Sequence, residues 1–164
     1  MATLIAGDAP VDFTFRGVDG KPYSTAEARQ QGLLMLVFYK VSCPVCQFTN
    51  PYLEKFQQAY AGKGFQIWGV SQDDVSATTS YARTYGNVTF PQVLDEELKA
   101  TVVYDLVSVP TLYLLDSGDK ILWQTAGWNR EELNKVSQMI AERLGVPAIK
   151  IVEDDDPAPV FRPG

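Results

Sequence analysis

The sequence predicts an α/β domain in which a central mixed sheet is flanked by helices. Three features favour this class. The continuously apolar run Leu33–Tyr39 has the length and composition of a strand buried on both faces of a sheet. Segments of helix length alternate with further short apolar runs along the chain. A strand pair and one last amphipathic helix follow, and this ending indicates a sheet with one antiparallel edge.

The first half of the chain predicts a hairpin and then a strand–helix–strand unit. Residues 11–15 alternate apolar and polar side chains, and the glycine-flanked residues 17–20 turn the chain back. The strand Leu33–Tyr39 is expected to lead into a helix over residues 43–61. The strand Phe65–Ser71 then follows, so strand, helix and strand alternate in this part of the chain.

The second half continues the alternation. A helix is expected to begin at Asp73 or Asp74 and to run to residue 85, with a strand over residues 90–94 and a short helix over 96–104 behind it. The remaining expected elements are a hairpin and a final helix: strand 111–115, turn 116–119, strand 121–124 and helix 129–144, which a capping box at residues 129–132 opens.

The chain of 164 residues predicts one domain and a tail. The domain is expected over residues 1–152 and is expected to be a monomer. Residues 153–164 begin with four acidic side chains and continue with several prolines. A composition of this kind does not pack into a core, so an acidic, proline-rich tail is expected there.

Composition excludes several classes of function. The formal net charge of −6 argues against nucleic acid or an anionic membrane as the partner, because phosphate groups require a basic face. The chain contains no histidine, which removes histidine acid–base chemistry and histidine-ligated metals. No apolar run has the length of a membrane span, and the start of the chain lacks the pattern of a signal peptide. We therefore expect a cytoplasmic protein or, if a leader has been removed, an exported one.

The two cysteines form the motif that carries chemistry. A buried strand ends just before the motif, so Cys43 is expected at the start of the following helix. There the free amides and the helix dipole stabilise a thiolate, which is the nucleophile of disulfide exchange. Cys46 lies one turn further along on the same side, where it can attack a mixed disulfide formed at Cys43 and release the reduced substrate. The spacing predicts a redox-active disulfide that works without another cofactor or a metal.

Two other interpretations of the cysteine pair stay open. A zinc ion requires four ligands, and without histidine or further cysteines two chains would have to share the metal. The pair is also compatible with an inert structural role.

A second motif lies far along the chain. Val109-Pro110-Thr111 directly precedes an apolar strand, and Pro51 stands eight residues after Cys43. With the cysteine pair, in this order and spacing, these residues resemble the thioredoxin superfamily, in which a cis-proline segment faces the cysteines and a proline kinks the active-site helix. The resemblance implies a thioredoxin-like fold, with Val109 and Pro110 binding the substrate. Taken alone, Pro110 is also consistent with an ordinary proline at the start of a strand.

The start of the chain narrows the resemblance. Residues 7–22 are similar to the amino-terminal hairpin that TlpA/ResA-type disulfide reductases share with the peroxiredoxins, the group called AhpC/TSA- and redoxin-like. Residues 65–94 resemble the helix and strand inserted in that group. The likeness extends over residues 7–144 and depends on the combination of motifs, since each motif is short.

The sequence also departs from the pattern of the superfamily. Ser42 stands where tryptophan usually precedes the first cysteine, and Val37 replaces the buried acid of thioredoxins. Proton transfer to or from Cys46 then requires another group. Asp73 aligns with an active-site glutamate of ResA-type proteins and is the candidate, with a plain helix cap as its alternative. Lys40 either stabilises the thiolate or is a solvated loop residue.

The resemblance implies a thiol–disulfide oxidoreductase that reduces disulfides of proteins or small molecules with electrons from an upstream thiol donor. One alternative is a peroxiredoxin-like thiol peroxidase. Such enzymes carry a threonine and a proline before the cysteine, and these positions hold Lys40 and Leu36. A second alternative is a non-catalytic binding module of the same fold. Copper chaperones of that kind need a histidine, which this chain lacks.

Overall fold

A computed structural model describes residues 2–164. Met1, with which the predicted range 1–152 begins, lies outside the described residues. The first strands and helices of the described part are β1 (Thr14–Gly17), β2 (Pro22–Ser24), α1 (Thr25–Gln31), β3 (Leu33–Tyr39), α2 (Pro44–Tyr60), β4 (Phe65–Ser71) and α3 (Val75–Thr84). The later ones are β5 (Gln92–Leu94), a 3-10 turn (Glu96–Leu98), α4 (Lys99–Val103), β6 (Thr111–Leu115), β7 (Trp123–Ala126), β8 (Trp128–Asn129), α5 (Arg130–Leu144) and β9 (Phe161–Arg162).

The strands form a mixed sheet in the order β2-β1-β5-β4-β3-β6-β7, and β8 pairs with β9 in a separate ribbon. The pairs β3–β4 and β4–β5 are parallel, and the other pairs of the large sheet are antiparallel. The predicted fold class, a central mixed sheet flanked by helices with an amino-terminal hairpin, is confirmed. The sheet has antiparallel pairs on both sides, however, because β1 returns beside β5. Within residues 2–164, no helix is long and apolar enough to cross a membrane.

Strand β3 lies inside the sheet, between β4 and β6, and separates two hydrophobic cores. Met35 and Val37 point into the core that contains α2 and α5, whereas Leu36 and Phe38 point into the core on the opposite face. All seven residues of β3 are buried. This explains why the strand is apolar throughout instead of alternating. The loop that follows β3 therefore emerges between two well-packed layers, and it leads directly into α2.

Two of the helices differ from the sequence prediction. Helix α1 was not expected; it begins after Ser24, whose hydroxyl accepts a hydrogen bond from the Glu27 amide at 3.2 Å. Its seven residues are too few to show a clear helical period. The helix expected over residues 96–104 is broken, because Glu97 and Leu98 adopt left-handed backbone conformations and only Lys99–Val103 is α-helical.

The last hairpin is displaced from its predicted position. Its second strand is Trp123–Ala126, whereas residues 121–124 were expected. Ile121 pairs instead with the amino-terminal segment: its amide donates to the Asp8 carbonyl at 2.8 Å, and its carbonyl accepts from the Gly7 amide at 2.9 Å. A contact between residues more than a hundred positions apart leaves no local pattern in the sequence.

Residues 153–164 do pack against the domain. The Arg130 guanidinium donates hydrogen bonds to the carbonyls of Asp156 and Ala158, each at 2.7 Å, and the Trp128 indole donates to the Pro159 carbonyl at 2.7 Å. Strand β9 continues this contact by pairing with β8. None of residues 153–164 is buried, so the segment does not join the core. Its backbone carbonyls nevertheless bind the surface of the domain, which composition does not indicate because it describes only side chains.

The packing of α5 generates a stability prediction. Val136→Ala should lower the free energy of unfolding by about 2 kcal/mol, because the Val136 side chain is fully buried in the core beneath α5. Val102→Ala is the matched control, since Val102 is also helical but 68% exposed. Urea unfolding of both variants measures the difference. Equal losses at the two positions would contradict the assignment of this core.

Candidate active site

The site forms where β3 passes into α2. Cys43 is the N-cap residue of α2, and Pro44 follows at the first helical position, where its lack of an amide hydrogen has no cost. The Cys43 sulfur accepts a hydrogen bond from the Cys46 amide at 3.1 Å. A sulfur atom therefore occupies the position where a serine or aspartate oxygen normally caps a helix. The free amides of the first turn favour negative charge at this position.

The two thiols have different surroundings. Cys43 is half-buried, whereas Cys46 is only 2% exposed and lies in a cluster with Tyr39 and Tyr81. Both cysteines carry free thiols. Burial raises the pKa of the Cys46 thiol, and its hydrogen bond with Cys43 adds to this rise. At neutral pH the buried thiol is therefore held in its protonated form.

The segment predicted to bind substrate lies beside the first cysteine. The Val109–Pro110 peptide bond is cis, as the resemblance implied. The Cys43 sulfur lies 3.5 Å from the Val109 carbonyl oxygen, and Val109 also packs against the cluster that contains Cys46. The Pro110 carbonyl accepts a hydrogen bond from the Gly127 amide at 2.8 Å, which ties this segment to the end of β7. The structure thus brings together four of the five predicted site residues.

Asp73, the fifth, supports the loop that precedes the motif. Its carboxylate accepts a hydrogen bond from the Val41 amide at 2.8 Å, and the Gln47 side chain donates to the Val41 carbonyl at 2.8 Å. Among residues 2–164, the structure records no hydrogen bond from Asp73 to either thiol. The capping interpretation is wrong, because Asp74 caps α3 by accepting a hydrogen bond from the Ala77 amide. Proton transfer by Asp73 stays a prediction.

Lys40 is an exposed residue of the same loop. Its carbonyl accepts a hydrogen bond from the Cys43 amide at 3.1 Å, so its backbone helps to hold the nucleophile. Its ammonium group makes no ion pair within the described residues. This placement favours the solvated interpretation. In residues 2–164, no group of three or more acidic, cysteine or histidine side chains is arranged to hold a metal ion.

Aromatic residues that the sequence did not assign to the site surround it on two sides. The rings of Tyr39 and Tyr81 stack with centroids 4.5 Å apart, and the Tyr39 hydroxyl donates to the Gln92 side chain at 2.6 Å. On the other side, the ring of Phe48 meets that of Trp128 at 4.9 Å. Tyr81 belongs to an apolar stripe of α3, which resembles an ordinary core pattern. Only the fold shows that this stripe faces the cysteines.

Comparisons with known proteins agree with this geometry. The profile of the AhpC/TSA family matches residues 6–124. The thiol-disulfide oxidoreductase ResA of Bacillus subtilis (strain 168) is 26% identical over 127 residues, which cover 77% of this chain and 69% of the relative.

Solved structures show the same fold. The thioredoxin domain of a thiol-disulfide oxidoreductase from Bacteroides vulgatus superposes with a TM-score of 0.72 at 25% identity and covers 85% of this chain and 99% of that chain. A protein from Bacteroides thetaiotaomicron, proposed to be a disulfide isomerase, gives a TM-score of 0.77 at 25% identity over 88% of this chain and 95% of that chain. The thioredoxin-like fold implied by the sequence is confirmed.

The difference in exposure between the thiols predicts an order of modification. Limited treatment of the reduced protein with iodoacetamide should label Cys43 before Cys46, because a buried thiol is shielded and is held protonated. Mass spectrometry of the digested protein identifies the labelled residue. The same treatment after denaturation serves as the control and should remove the preference. Earlier labelling of Cys46 in the folded protein would contradict the geometry.

Proposed function

This chain belongs to the AhpC/TSA family, and on that basis we propose that it is a thiol–disulfide oxidoreductase that reduces disulfides through Cys43 and Cys46. One observation carries the proposal: a half-buried sulfur caps α2, while its partner one turn later is buried. This pairing of an accessible nucleophile with a shielded second thiol is what sequential disulfide exchange requires. The similarity to ResA supports the same activity.

The reaction proceeds in two exchanges. The Cys43 thiolate attacks one sulfur of the substrate disulfide, forms a mixed disulfide and releases the other substrate sulfur as a thiolate. That thiolate takes up a proton, and the Cys46 thiol gives one up to solvent. The Cys46 thiolate then attacks the Cys43 sulfur, forms the Cys43–Cys46 disulfide and releases the second substrate thiolate. Two electrons have passed from the cysteine pair to the substrate, which leaves as two thiols.

The helix terminus assists the first exchange. The Cys46 amide donates to the Cys43 sulfur and stabilises its negative charge while Cys43 is the attacking thiolate. No bound cofactor takes part in this scheme, since the cysteine pair itself stores the electrons. An upstream dithiol donor then reduces the Cys43–Cys46 disulfide by the same chemistry and completes the cycle.

The Val109 backbone supplies the docking position in this proposal. Its carbonyl lies 3.5 Å from the Cys43 sulfur, so a peptide group bound there brings its neighbouring disulfide within reach of the nucleophile. Pro110 has no amide hydrogen and no polar side chain that would compete for the sulfur. The proposed enzyme works as a monomer, and its cytoplasmic location, with export as the alternative, stays a prediction.

A peroxidase function has less support. Lys40 occupies the position of the threonine that positions peroxide in peroxiredoxins, and its side chain is exposed to solvent. Leu36 occupies the position of their proline and is buried inside β3. Neither residue supplies the contact that peroxide activation by that motif would use.

The proposal predicts a trapped intermediate. With dithiothreitol as donor, the unmodified chain should reduce a disulfide substrate. Pre-reduced Cys46→Ser, freed of dithiothreitol, should accumulate a mixed disulfide between Cys43 and that substrate because the second thiol is missing. Cys43→Ser is the matched control and should form no such adduct. Non-reducing gels and intact-mass measurements detect the adduct.

Two results would contradict this proposal. Equal trapping by the two serine variants would remove the division of roles between the thiols. Consumption of stoichiometric peroxide much faster than reduction of the disulfide would favour the peroxidase alternative.

The second exchange should depend on pH. Because burial raises the pKa of Cys46, most of this thiol is protonated at neutral pH, and its thiolate fraction grows as pH rises. The rate of mixed-disulfide resolution should therefore increase by up to about tenfold per pH unit below that pKa. Stopped-flow release of a chromogenic thiolate between about pH 6 and pH 8 follows both exchanges. Cys46→Ser is the control and should show the first exchange alone, because it lacks the second thiol. A second phase whose rate does not change with pH would contradict the assignment of Cys46 as the buried, protonated thiol that resolves the mixed disulfide.

A further inference from the structure

Residues 153–164, here called the strap, connect the end of the fold to the candidate active site. The strap begins beside α5, where Arg130 donates hydrogen bonds to the carbonyls of Asp156 and Ala158. It then passes over α2, where the Tyr52 hydroxyl donates to the Asp156 carboxylate at 2.8 Å. These contacts hold its first half on one defined path across the surface.

The second half of the strap follows β8 toward the cysteines. Arg162 pairs with Trp128 in the β8–β9 ribbon, and its guanidinium carbon lies 5.0 Å from the centre of the Phe48 ring. The Arg162 carbonyl also lies directly against Gly127, where an added Cβ would approach it to 2.5 Å. Two backbones thus lie in direct contact at this point, and a side chain at Gly127 would separate them.

The last residues of the strap contact the backbone that we propose as the docking position. Gly164 lies against the Val109 carbonyl and the Pro110 nitrogen, and a Cβ at Gly164 would overlap the Val109 carbonyl oxygen. The Cys43 sulfur contacts this same oxygen. The strap therefore occupies space that an extended polypeptide would enter when it pairs with Val109.

Another side of Cys43 stays open. Ser42 and Pro44, its two neighbours in the chain, are exposed to solvent. Cys43 itself is only partly buried with the strap in place. We therefore expect a small disulfide that approaches past Ser42 and Pro44 to reach the Cys43 sulfur without displacing the strap.

We propose that residues 161–164 determine the class of substrate: low-molecular-weight disulfides react directly at Cys43, whereas disulfides in extended polypeptides must first displace this segment from Val109. This inference rests on the proposed disulfide reductase function and specifies its substrates. The segment is held weakly enough to be displaced, because β9 has only two residues and the Phe161 side chain is 52% exposed. A docking polypeptide competes with the strap for the same backbone positions.

The test compares two substrates in two chains. The full chain and a variant lacking residues 161–164 are assayed with dithiothreitol as donor, once with glutathione disulfide and once with insulin. Deletion should raise kcat/KM for insulin by roughly fivefold or more, the effect of removing about 1 kcal/mol of competing contact. It should leave kcat/KM for glutathione disulfide unchanged. Circular dichroism and thermal melting establish that the shortened chain is folded.

A point substitution provides a second test if the shortened chain does not fold. Gly164→Ala should raise kcat/KM for insulin and leave kcat/KM for glutathione disulfide unchanged, as the deletion does, because its methyl group pushes the strap away from the Val109 carbonyl. Val160→Ala is the matched control, because this side chain points into solvent and its backbone contact with Arg130 is kept. Its kcat/KM for each of the two substrates should equal that of the full chain.

The outcomes separate this inference from the function on which it rests. Equal acceleration with both substrates would show a simple block of Cys43 and overturn the division into two substrate classes. Unchanged rates with both would show that the strap takes no part in access. Failure of every chain to reduce either substrate would overturn the proposed function itself, and the inference with it.

Discussion

The hydrogen bond from the Cys46 amide to the Cys43 sulfur is the contact on which the rest of the site depends. It forms because the chain leaves β3 and enters α2 within four residues, so that the first cysteine becomes the cap of the helix. The capping position makes that sulfur an acceptor for the free amides of the first turn, and it places the second cysteine one turn inward. Hydrogen bonds to the Val41 backbone keep the loop between β3 and α2 in this conformation. The Asp73 carboxylate accepts one from the Val41 amide, and the Gln47 side chain donates one to the Val41 carbonyl.

The two sulfurs differ because they face different layers of the fold. Cys43 lies at the surface, where the Val109 segment approaches it. Cys46 points into the packed layer between α2 and α3 and contacts the stacked rings of Tyr39 and Tyr81. Water is excluded on that side, and the cost of a buried negative charge raises the pKa of the second thiol. One helical turn thus produces an accessible nucleophile and a shielded partner from two identical side chains.

Backbone contacts define the surface around the nucleophile. The Val109 carbonyl, Gly127 and Gly164 meet where no side chain fits between them, and the strap reaches this point because Trp128 and Arg130 bind its carbonyl groups. A surface built from backbone recognises the extended conformation of a chain more than the identity of its side chains. It is therefore equally suited to a segment of this protein and to a segment of a substrate.

The sequence by itself determined the elements whose signals are local. The strand Leu33–Tyr39, the strand Phe65–Ser71 and the cysteine motif at a helix start were predicted where the structure has them, because burial on both faces and proximity in the chain leave a pattern in neighbouring residues. Only the tertiary structure decided the position of β7, the contact of Asp73 with Val41, and the docking of the strap. These depend on backbone groups that meet across long separations in the chain, and a backbone amide or carbonyl is the same whatever side chain its residue carries.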